Sequence, residues 1–293
     1  MILPIVFLAA FSNALQIALM AEYYRKLDTL SAVAYRGLSL VFTMWPLLLF
    51  VPFGEINITS TFFIYIASAT CFAVIANWTN AISMRYLSVP VSTALGMGFW
   101  SVIIAVLAYF FEDETLKLLQ IFFISLTLIT ASILGITQNS ENHLMYNNRK
   151  KGVLLTLLFG FAIASAGLFV GKASREFHPF ITGYTWEVCI GVTSACIAAG
   201  RSLFTSQKLV KISLRDFSRI MLFSAPTTLG TGLFAYSVTQ GKLAVMSAIF
   251  ITATMIFSSV LAYFRYKEKL NTKQLLLLGL LISFIVALKL VSE

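Results

Sequence analysis

The chain has 293 residues, of which 59% are hydrophobic and only 11% are charged, against roughly 25% charged residues in a typical soluble domain. This composition excludes a soluble globular protein and predicts an integral membrane protein. The net charge of +9 would suggest a nucleic-acid partner for a soluble protein. Here the basic residues lie in loops beside apolar segments, where they set topology and contact anionic lipid headgroups, so we expect no nucleic-acid partner.

About 20 apolar residues are needed to cross a bilayer core of roughly 30 Å, and ten such runs follow one another along the chain. Little sequence is left for a soluble domain, and the longest polar connections are 138–151 and 201–216. The predicted spans are residues 2–21, 31–53, 60–83, 88–111, 116–137, 152–171, 180–200, 217–239, 243–264 and 273–291.

The first and third spans carry amide side chains in their apolar runs. Asn13 and Gln16 are three residues apart, as are Asn77 and Asn80, so each pair shares one face of its helix. Such residues either hydrogen-bond a solute in a central cavity or hydrogen-bond a neighbouring helix, which is common in membranes. Trp78, next to this polar face, is predicted to stack on a flat or cationic solute.

A five-residue stretch at the end of the fourth span occurs a second time at the end of the ninth. Residues 106–110 and 260–264 both read Val-Leu-Ala-Tyr-Phe, 154 residues apart, and 8 of the 15 positions from 106 to 120 are identical at that offset. The matched residues include Glu114 with Glu268 and Gln120 with Gln274. We interpret this as a duplicated membrane hairpin.

The offset assigns five spans to each half, and an odd number of spans inverts the second half relative to the first. The predicted fold is therefore all-α, with ten transmembrane helices in two inverted five-helix repeats. The repeats cover residues 1–137 and 152–293 and are joined by a loop at 138–151. The same offset relates Asn77 to Thr231, so the polar faces of both halves are expected to converge near a pseudo-two-fold axis.

Loop charges give the predicted orientation, because Lys and Arg are retained on the cytoplasmic side. Of the 21 basic residues, 15 lie in the connections or adjoining span ends on one side, five lie on the side that holds both termini, and Arg36 lies well inside the second span. We therefore expect a multi-pass protein of the cytoplasmic membrane with both termini outside the cytoplasm.

With ten spans in two inverted halves, and an aromatic Leu-Ala-Tyr-Phe followed by a Glu and a Gln in each half, the sequence resembles the drug/metabolite transporter superfamily, in its EamA-type branch. The specific resemblance is carried by residues 106–120 and 260–274. The sequence lacks the proline that is often found in the middle of the fourth and ninth spans of this family. The resemblance implies a secondary transporter that works by alternating access and does not imply which solute it moves.

The solute path is expected between spans one to four and six to nine, because spans five and ten are the least polar and read as peripheral supports. Trp100 in span four and Tyr184 in span seven are further residues predicted to stack on a solute. The alternative for each aromatic residue is ordinary packing or lipid contact, since the chain has 26 phenylalanines.

Arg36 and Glu187 are the two ionisable residues well inside predicted spans, where charges are costly and usually functional. At about 1.5 Å per residue, the two backbone positions differ in depth by about 9 Å, so the side chains nearly meet or hold a ligand between them. One interpretation is a structural ion pair, or Arg36 reaching the interface while Glu187 stays protonated. The other is that Arg36 binds a carboxylate and Glu187 binds an ammonium group or a coupling proton, which fits an amino acid or similar zwitterion.

No catalytic or cofactor motif is present in the sequence, and we expect a transporter rather than an enzyme. His143 and His178 lie in connections, as do all three aspartates, and Cys71, Cys189 and Cys196 lie inside spans and are interpreted as small apolar residues. We expect no cofactor or metal, with proton coupling as an option. The expected partners are a small-molecule substrate and the lipid bilayer. The alternatives left open are a transporter of organic cations or drugs, and a lipid-linked carrier flippase or its non-transporting partner.

Overall fold

Eleven α-helices and one 3-10 segment form the described part of the chain in this computed structural model. The described residues are 2–52, 54, 56, 58–137, 148–204, 210–267 and 271–292. The helices are α1 (Ile2–Lys26), α2 (Thr29–Thr43), α3 (Ser60–Ser83), α4 (Val89–Phe111), α5 (Leu118–Thr137), α6 (Arg149–Glu176), α7 (Pro179–Phe204), α8 (Leu214–Ser224), α9 (Pro226–Thr239), α10 (Leu243–Tyr266) and α11 (Thr272–Ser292).

The second and eighth predicted spans are not single continuous helices, which corrects the prediction. After α2 the chain forms a 3-10 segment, Trp45–Phe50, and Pro46 explains the break because it has no N–H and its ring clashes with the preceding turn. Span eight begins at Leu214 and is divided between α8 and α9 at Pro226, which occupies the first position of α9. Proline is tolerated at that position, so α9 continues directly.

The sixth helix begins earlier than predicted. Asn148 caps α6 from a left-handed conformation (φ 81°), and its side chain accepts a hydrogen bond from the backbone N–H of Lys151. The last three residues of the predicted connecting loop therefore belong to α6. Residues 138–147 of that loop, and the matched Glu268, lie outside the described residues.

Six of the described helices are long and apolar enough to cross a membrane by length and composition. They are α1, α3, α4, α6, α7 up to Arg201, and α10. The chain is therefore a multi-pass helical membrane protein. The remaining predicted spans are mostly helical over their described residues, but α2, α8 and α9 are short and α5 and α11 have shorter apolar runs.

The two halves share helix positions and packing partners. The helices α3, α4 and α5 begin at residues 60, 89 and 118, and α8, α10 and α11 begin 154 residues later, at 214, 243 and 272. The main contacts follow the same relation. The helices α3 and α4 of the first half both pack on α6, and their counterparts α9 and α10 of the second half both pack on α1. Three further pairs join counterparts directly: α2 with α7, α4 with α10, and α5 with α11.

The matched glutamines explain why α5 and α11 begin at related positions. Gln120 Oε1 accepts a hydrogen bond from the backbone N–H of Lys117 (2.8 Å), and Gln274 Oε1 accepts one from Asn271 (2.7 Å). Each side chain caps the start of its own helix, where backbone N–H groups have no intrahelical partner. The glutamine that both copies of the repeat share therefore has a local structural role.

Contacts between loops define the two ends of the bundle. We call one end the terminal face: it holds residues 112–117 and 238–242, and Lys117 Nζ donates to the carbonyl of Val291 near the end of α11 (3.1 Å). The opposite face holds the end of α1 and the start of α4, since Arg25 Nε donates to the carbonyl of Met84 (3.0 Å). Arg201, near the end of α7, also lies there through its pair with Asp28 (2.7 Å).

Candidate substrate-binding site

The site is built where α2 and α7 cross. Gly37 and Gly191 face each other at this crossing, and a Cβ atom on Gly37 would lie only 2.2 Å from the Cα atom of Gly191. No side chain larger than hydrogen fits between the two backbones without moving them. This close approach brings Arg36, next to Gly37, towards Glu187, which is one helical turn from Gly191.

Arg36 and Glu187 form a buried ion pair at this crossing. Arg36 Nη2 lies 3.4 Å from Glu187 Oε2, and the two side chains are 6% and 5% exposed. Arg36 Nη1 also donates to Asn77 Oδ1 (3.1 Å), and Thr231 Oγ1 donates to Glu187 Oε1 (2.8 Å). Each charge thus has a polar neighbour, and those neighbours are 154 residues apart in the sequence.

The pair leaves hydrogen-bonding capacity unused. Among the described residues, Arg36 Nε and Glu187 Oε2 have no hydrogen-bond partner, and the contact between the charges is longer than the 2.7–2.9 Å that is usual for charge-assisted hydrogen bonds. A buried polar atom without a partner is costly and marks either a strained core or a site for a missing ligand or water.

A central cavity of about 90 Å³ surrounds this pair. Residues from α1, α2, α3, α4, α6, α7, α9 and α10 line it, while α5 and α11 contribute none of the described lining. The lining residues are Asn13, Gln16, Ile17, Arg36, Asn77, Asn80, Met97, Trp100, Phe159, Ile163, Gly167, Trp186, Glu187, Ile190, Gly230, Thr231, Phe234 and Phe250.

The structure brings together seven of the nine residues that the sequence singled out. Those that line the cavity are Asn13, Gln16, Arg36, Asn77, Asn80, Trp100 and Glu187. Trp78 lies elsewhere: it is 43% exposed on α3 and does not line the cavity, because the amides of α3 rather than its indole turn inwards. Tyr184 lies one turn from Glu187 but packs against Leu40 and Met44 instead.

Aromatic residues that the sequence did not single out complete the lining. Trp186 precedes Glu187 on α7, and its indole N–H, like that of Trp100, is buried with no hydrogen-bond partner among the described residues. Trp100 is held edge-on by Phe234 and Phe250, at ring-centroid distances of 6.1 and 6.0 Å. The cavity therefore combines one cation, one anion, amides and two free indole donors within an aromatic wall.

A larger cavity of about 580 Å³ lies between α4 and α5, away from the charged pair. Its lining is mainly apolar and includes Val106, Tyr109 and Phe110 of the repeated stretch. It shares no described lining residue with the central cavity. We place the site in the smaller cavity because a polar solute needs convergent polar groups, which the larger one lacks.

A second group of ions lies at the terminal face and has a different character. Arg175 Nη1 donates to Glu112 (2.6 Å) and its Nη2 donates to Glu114 (2.8 Å). The same side chain also donates to the carbonyls of Val238 (3.2 Å) and Gly241 (3.0 Å). This arginine therefore joins the loop after α4 to the end of α6 and to the turn between α9 and α10.

Glu114 also caps α10 from this loop. Its two carboxylate oxygens accept hydrogen bonds from the backbone N–H groups of Leu243 (2.6 Å) and Ala244 (3.1 Å). A negative charge is favourable at this helix N-terminus.

Among the described residues, no group of three His, Cys, Asp or Glu side chains is arranged to hold a metal ion.

The fold and the site define a multi-pass helical membrane protein that encloses a charged cavity. Residues 150–290 match the EamA-like transporter family, and this match places the chain in the drug/metabolite transporter superfamily. Twenty-six chains of solved structures are similar to it. One of them, described only as the crystal structure of a protein, has a TM-score of 0.70 at 10% identity, covering 98% of this chain and 97% of that chain. At that identity the likeness shows the fold alone. No curated protein matches the sequence.

Proposed function

We propose that the protein is a secondary transporter that moves a small polar metabolite, an amino acid or a similar zwitterion, across the cytoplasmic membrane by alternating access. The observation that carries this proposal is the buried pair of Arg36 and Glu187 in the central cavity, with an unused donor on one residue and an unused acceptor on the other. Arg36 is proposed to bind the substrate carboxylate and Glu187 its ammonium group or a coupling proton.

The related halves support alternating access. Ten spans in two inverted repeats would let similar halves exchange conformations around a midplane site, and the 154-residue offset of helix starts and the matching packing partners agree with this arrangement. The matched loops carry opposite charge, Glu112-Asp113-Glu114 in the first half and Arg265-Tyr266-Lys267 in the second, as expected for loops on opposite sides.

The same charge distribution supports a proposed topology. We propose that the opposite face, with its basic connections, is cytoplasmic and that both termini are outside. A fluorescent or enzymatic reporter fused after Glu293 tests this orientation. A reporter that works only in the cytoplasm would overturn it.

A solute must separate the ion pair in order to bind. The cavity of about 90 Å³ holds a few waters and is far smaller than the roughly 300–1,000 Å³ of typical small-molecule sites. A zwitterion can take the place of each partner: its carboxylate replaces Glu187 beside Arg36, and its ammonium group replaces Arg36 beside Glu187. No buried charge is then left unpaired.

Two other substrate classes have a specific observation in their favour. The aromatic wall of Trp100, Trp186, Phe234 and Phe250 around Glu187 suits an organic cation through cation–π contacts, although the neighbouring Arg36 would repel it. The apolar cavity between α4 and α5 suits the acyl chain of a lipid-linked carrier. Its lining is separate from the charged site, so we favour the zwitterion.

Flux measurements in liposomes test the proposal. Purified protein should move a labelled amino acid without ATP, and Arg36→Gln and Glu187→Gln should each stop that movement while the protein still folds. Transport of a neutral sugar as the best solute, or ATP hydrolysis in place of transport, would overturn the proposal.

A further inference from the structure

We infer that the Arg36–Glu187 pair lets the empty protein reorient, so that it carries out net transport rather than obligatory exchange. This inference rests on the proposed transport function and concerns what happens at the site when no solute is bound. It assigns the pair a second role. When no substrate is bound, Arg36 neutralises Glu187 and Glu187 neutralises Arg36, as the charged groups of the substrate do in the loaded site.

The physical argument begins with the closed intermediate. A carrier that changes its open side passes through a state in which the central site faces neither solution. A lone charge in that state is buried without water or a partner, which costs several kcal/mol in effective terms. A carrier with a lone central charge therefore switches readily only when a charged substrate neutralises it, and that limits it to exchange.

In this protein the central site does not contain a lone charge, so the restriction to exchange does not apply. Arg36 and Glu187 neutralise each other at 3.4 Å with nearly complete burial. Their polar neighbours come from different halves: Asn77 on α3 holds Arg36, and Thr231 on α9 holds Glu187. When a solute separates the pair, each charge keeps one hydrogen-bond neighbour. When the solute leaves, the pair closes again and the site returns to zero net charge.

A zwitterion leaves this balance unchanged. The empty site contains one cation and one anion, and the loaded site contains two of each. Both forms are neutral, so both can pass through the closed intermediate. Net flux of a zwitterion is then expected in either direction, following its gradient.

Single-molecule fluorescence on the solute-free protein tests the inference without knowledge of the substrate. Thr59 and Gln240 are exposed at the terminal face, one in each half, and cysteines there can be labelled once Cys71, Cys189 and Cys196 are replaced by alanine. The observable is the rate at which the empty carrier switches between distances in liposomes with buffer only. The wild-type protein should switch, and Glu187→Gln should slow switching at least ~100-fold because Arg36 is left unpaired.

The double variant Arg36→Gln/Glu187→Gln provides the decisive comparison. It has no central charge and should switch about as fast as wild-type protein, which also shows that slow switching of the single variant is not a folding defect. Glu22→Gln, which removes a carboxylate from an exposed ion group at the opposite face, is the matched control and should leave the rate unchanged.

Three results would overturn the inference: a wild-type protein that does not switch when empty, a Glu187→Gln variant that switches as fast as wild type, or a double variant as slow as the single one. Because no solute is present, these results are independent of the substrate. Absence of amino-acid binding would instead count against the proposed function and leave the switching result standing.

Discussion

Arg175 and Arg36 both face carboxylates, and they use their hydrogen-bonding groups in opposite ways. Arg175 at the terminal face contacts two carboxylates at 2.6 and 2.8 Å and two backbone carbonyls, so Nε and both Nη atoms are occupied. Within the described part of the chain, Arg36 in the central cavity has one hydrogen bond, to Asn77, and a looser contact with Glu187 at 3.4 Å. All three nitrogen atoms of the Arg175 guanidinium group therefore donate hydrogen bonds, whereas Nε of Arg36 has no partner among the described residues.

This difference separates a structural ion group from a binding site. A saturated group is lowest in energy as it stands, and any rearrangement loses several charge-assisted hydrogen bonds. An unsaturated buried pair gains hydrogen bonds when a ligand arrives, which is the condition for binding. The comparison therefore predicts that changes at the terminal face act on stability and that changes at the centre act on transport.

The largest expected effect comes from removing both central charges. Arg36→Gln/Glu187→Gln should lower transport about 1,000-fold, since two charge-assisted contacts of roughly 2 kcal/mol each are lost. Stability should change by less than about 1 kcal/mol, because replacing a whole buried ion pair by neutral groups is often tolerated. Flux in liposomes and thermal unfolding in detergent measure the two quantities. Unchanged transport would mean that the pair is structural.

Glu114→Gln should have the opposite pattern, with a large loss of stability and little direct effect on transport. It removes the charge that faces Arg175 and weakens the cap on α10, so we expect a loss of about 3 kcal/mol in the free energy of unfolding. Asp113→Asn, in the same loop, is the control: Asp113 has a left-handed backbone (φ 51°) that asparagine also tolerates. Equal melting temperatures for the two variants would contradict the structural role of Glu114.

Gly37→Ala sharpens the comparison by moving the central pair without removing it. The added methyl group would overlap the Gly191 backbone, so α2 and α7 must separate, with a loss of about 1–3 kcal/mol and lower transport. Gly200→Ala, on α7 with Gly191, has open space at its Cβ position and should be neutral or stabilising by up to about 1 kcal/mol. If both substitutions behave alike in unfolding and flux assays, the crossing does not position the pair.

The smallest effect is expected at the opposite face, where Arg201 pairs with Asp28. Partial burial raises the pKa of Asp28, but hydrogen bonds from Arg201 and Ser31 outweigh it and hold the pKa below the ordinary value of 3.8. Because the folded-state pKa is the lower one, this stabilisation is present above pH ~3.8 and is lost as pH falls through the folded value. It should amount to less than about 1 kcal/mol for these partly exposed side chains.

Melting temperatures measured from pH 6 to pH 3 check this sign. Asp28→Asn should be less stable than wild type at pH 6, and the difference should shrink towards pH 3. A difference that grows on acidification would show that Asp28 is not stabilised as a carboxylate.

Much of the site was predictable from the sequence, because the signals were chemical. Arg36, Glu187 and the amides of α1 and α3 stand out in apolar spans. Because exposing such groups to lipid is costly, they are expected to face the interior of the protein. Trp78 could not be separated from Trp100 in this way, since an indole suits both lipid and a cavity and only the rotation of the helix decides. Trp186 was missed for the same reason.

Other features depend on tertiary contacts that no local pattern records. Gly37 and Gly191 are ordinary helical glycines in the sequence, and their importance lies in facing each other. In contrast, Pro46 and Pro226 were visible signals for the breaks in the second and eighth predicted spans. The 154-residue repeat is reflected in the helix starts of both halves, while Gln120 and Gln274 within it cap helices and do not line the central cavity.

Ligand-induced thermal stabilisation tests the central claim most directly. Wild-type protein and Arg36→Gln/Glu187→Gln should be compared with a panel of amino acids and, for each, the matching amine without its carboxylate and the matching carboxylate without its amine. At a hundredfold its dissociation constant, a ligand adds roughly 2.7 kcal/mol of stability. The account predicts stabilisation of the wild type by at least one intact amino acid, little by either matched fragment, and none of the double variant. Equal stabilisation by the amine alone, or an undiminished response of the double variant, would contradict it.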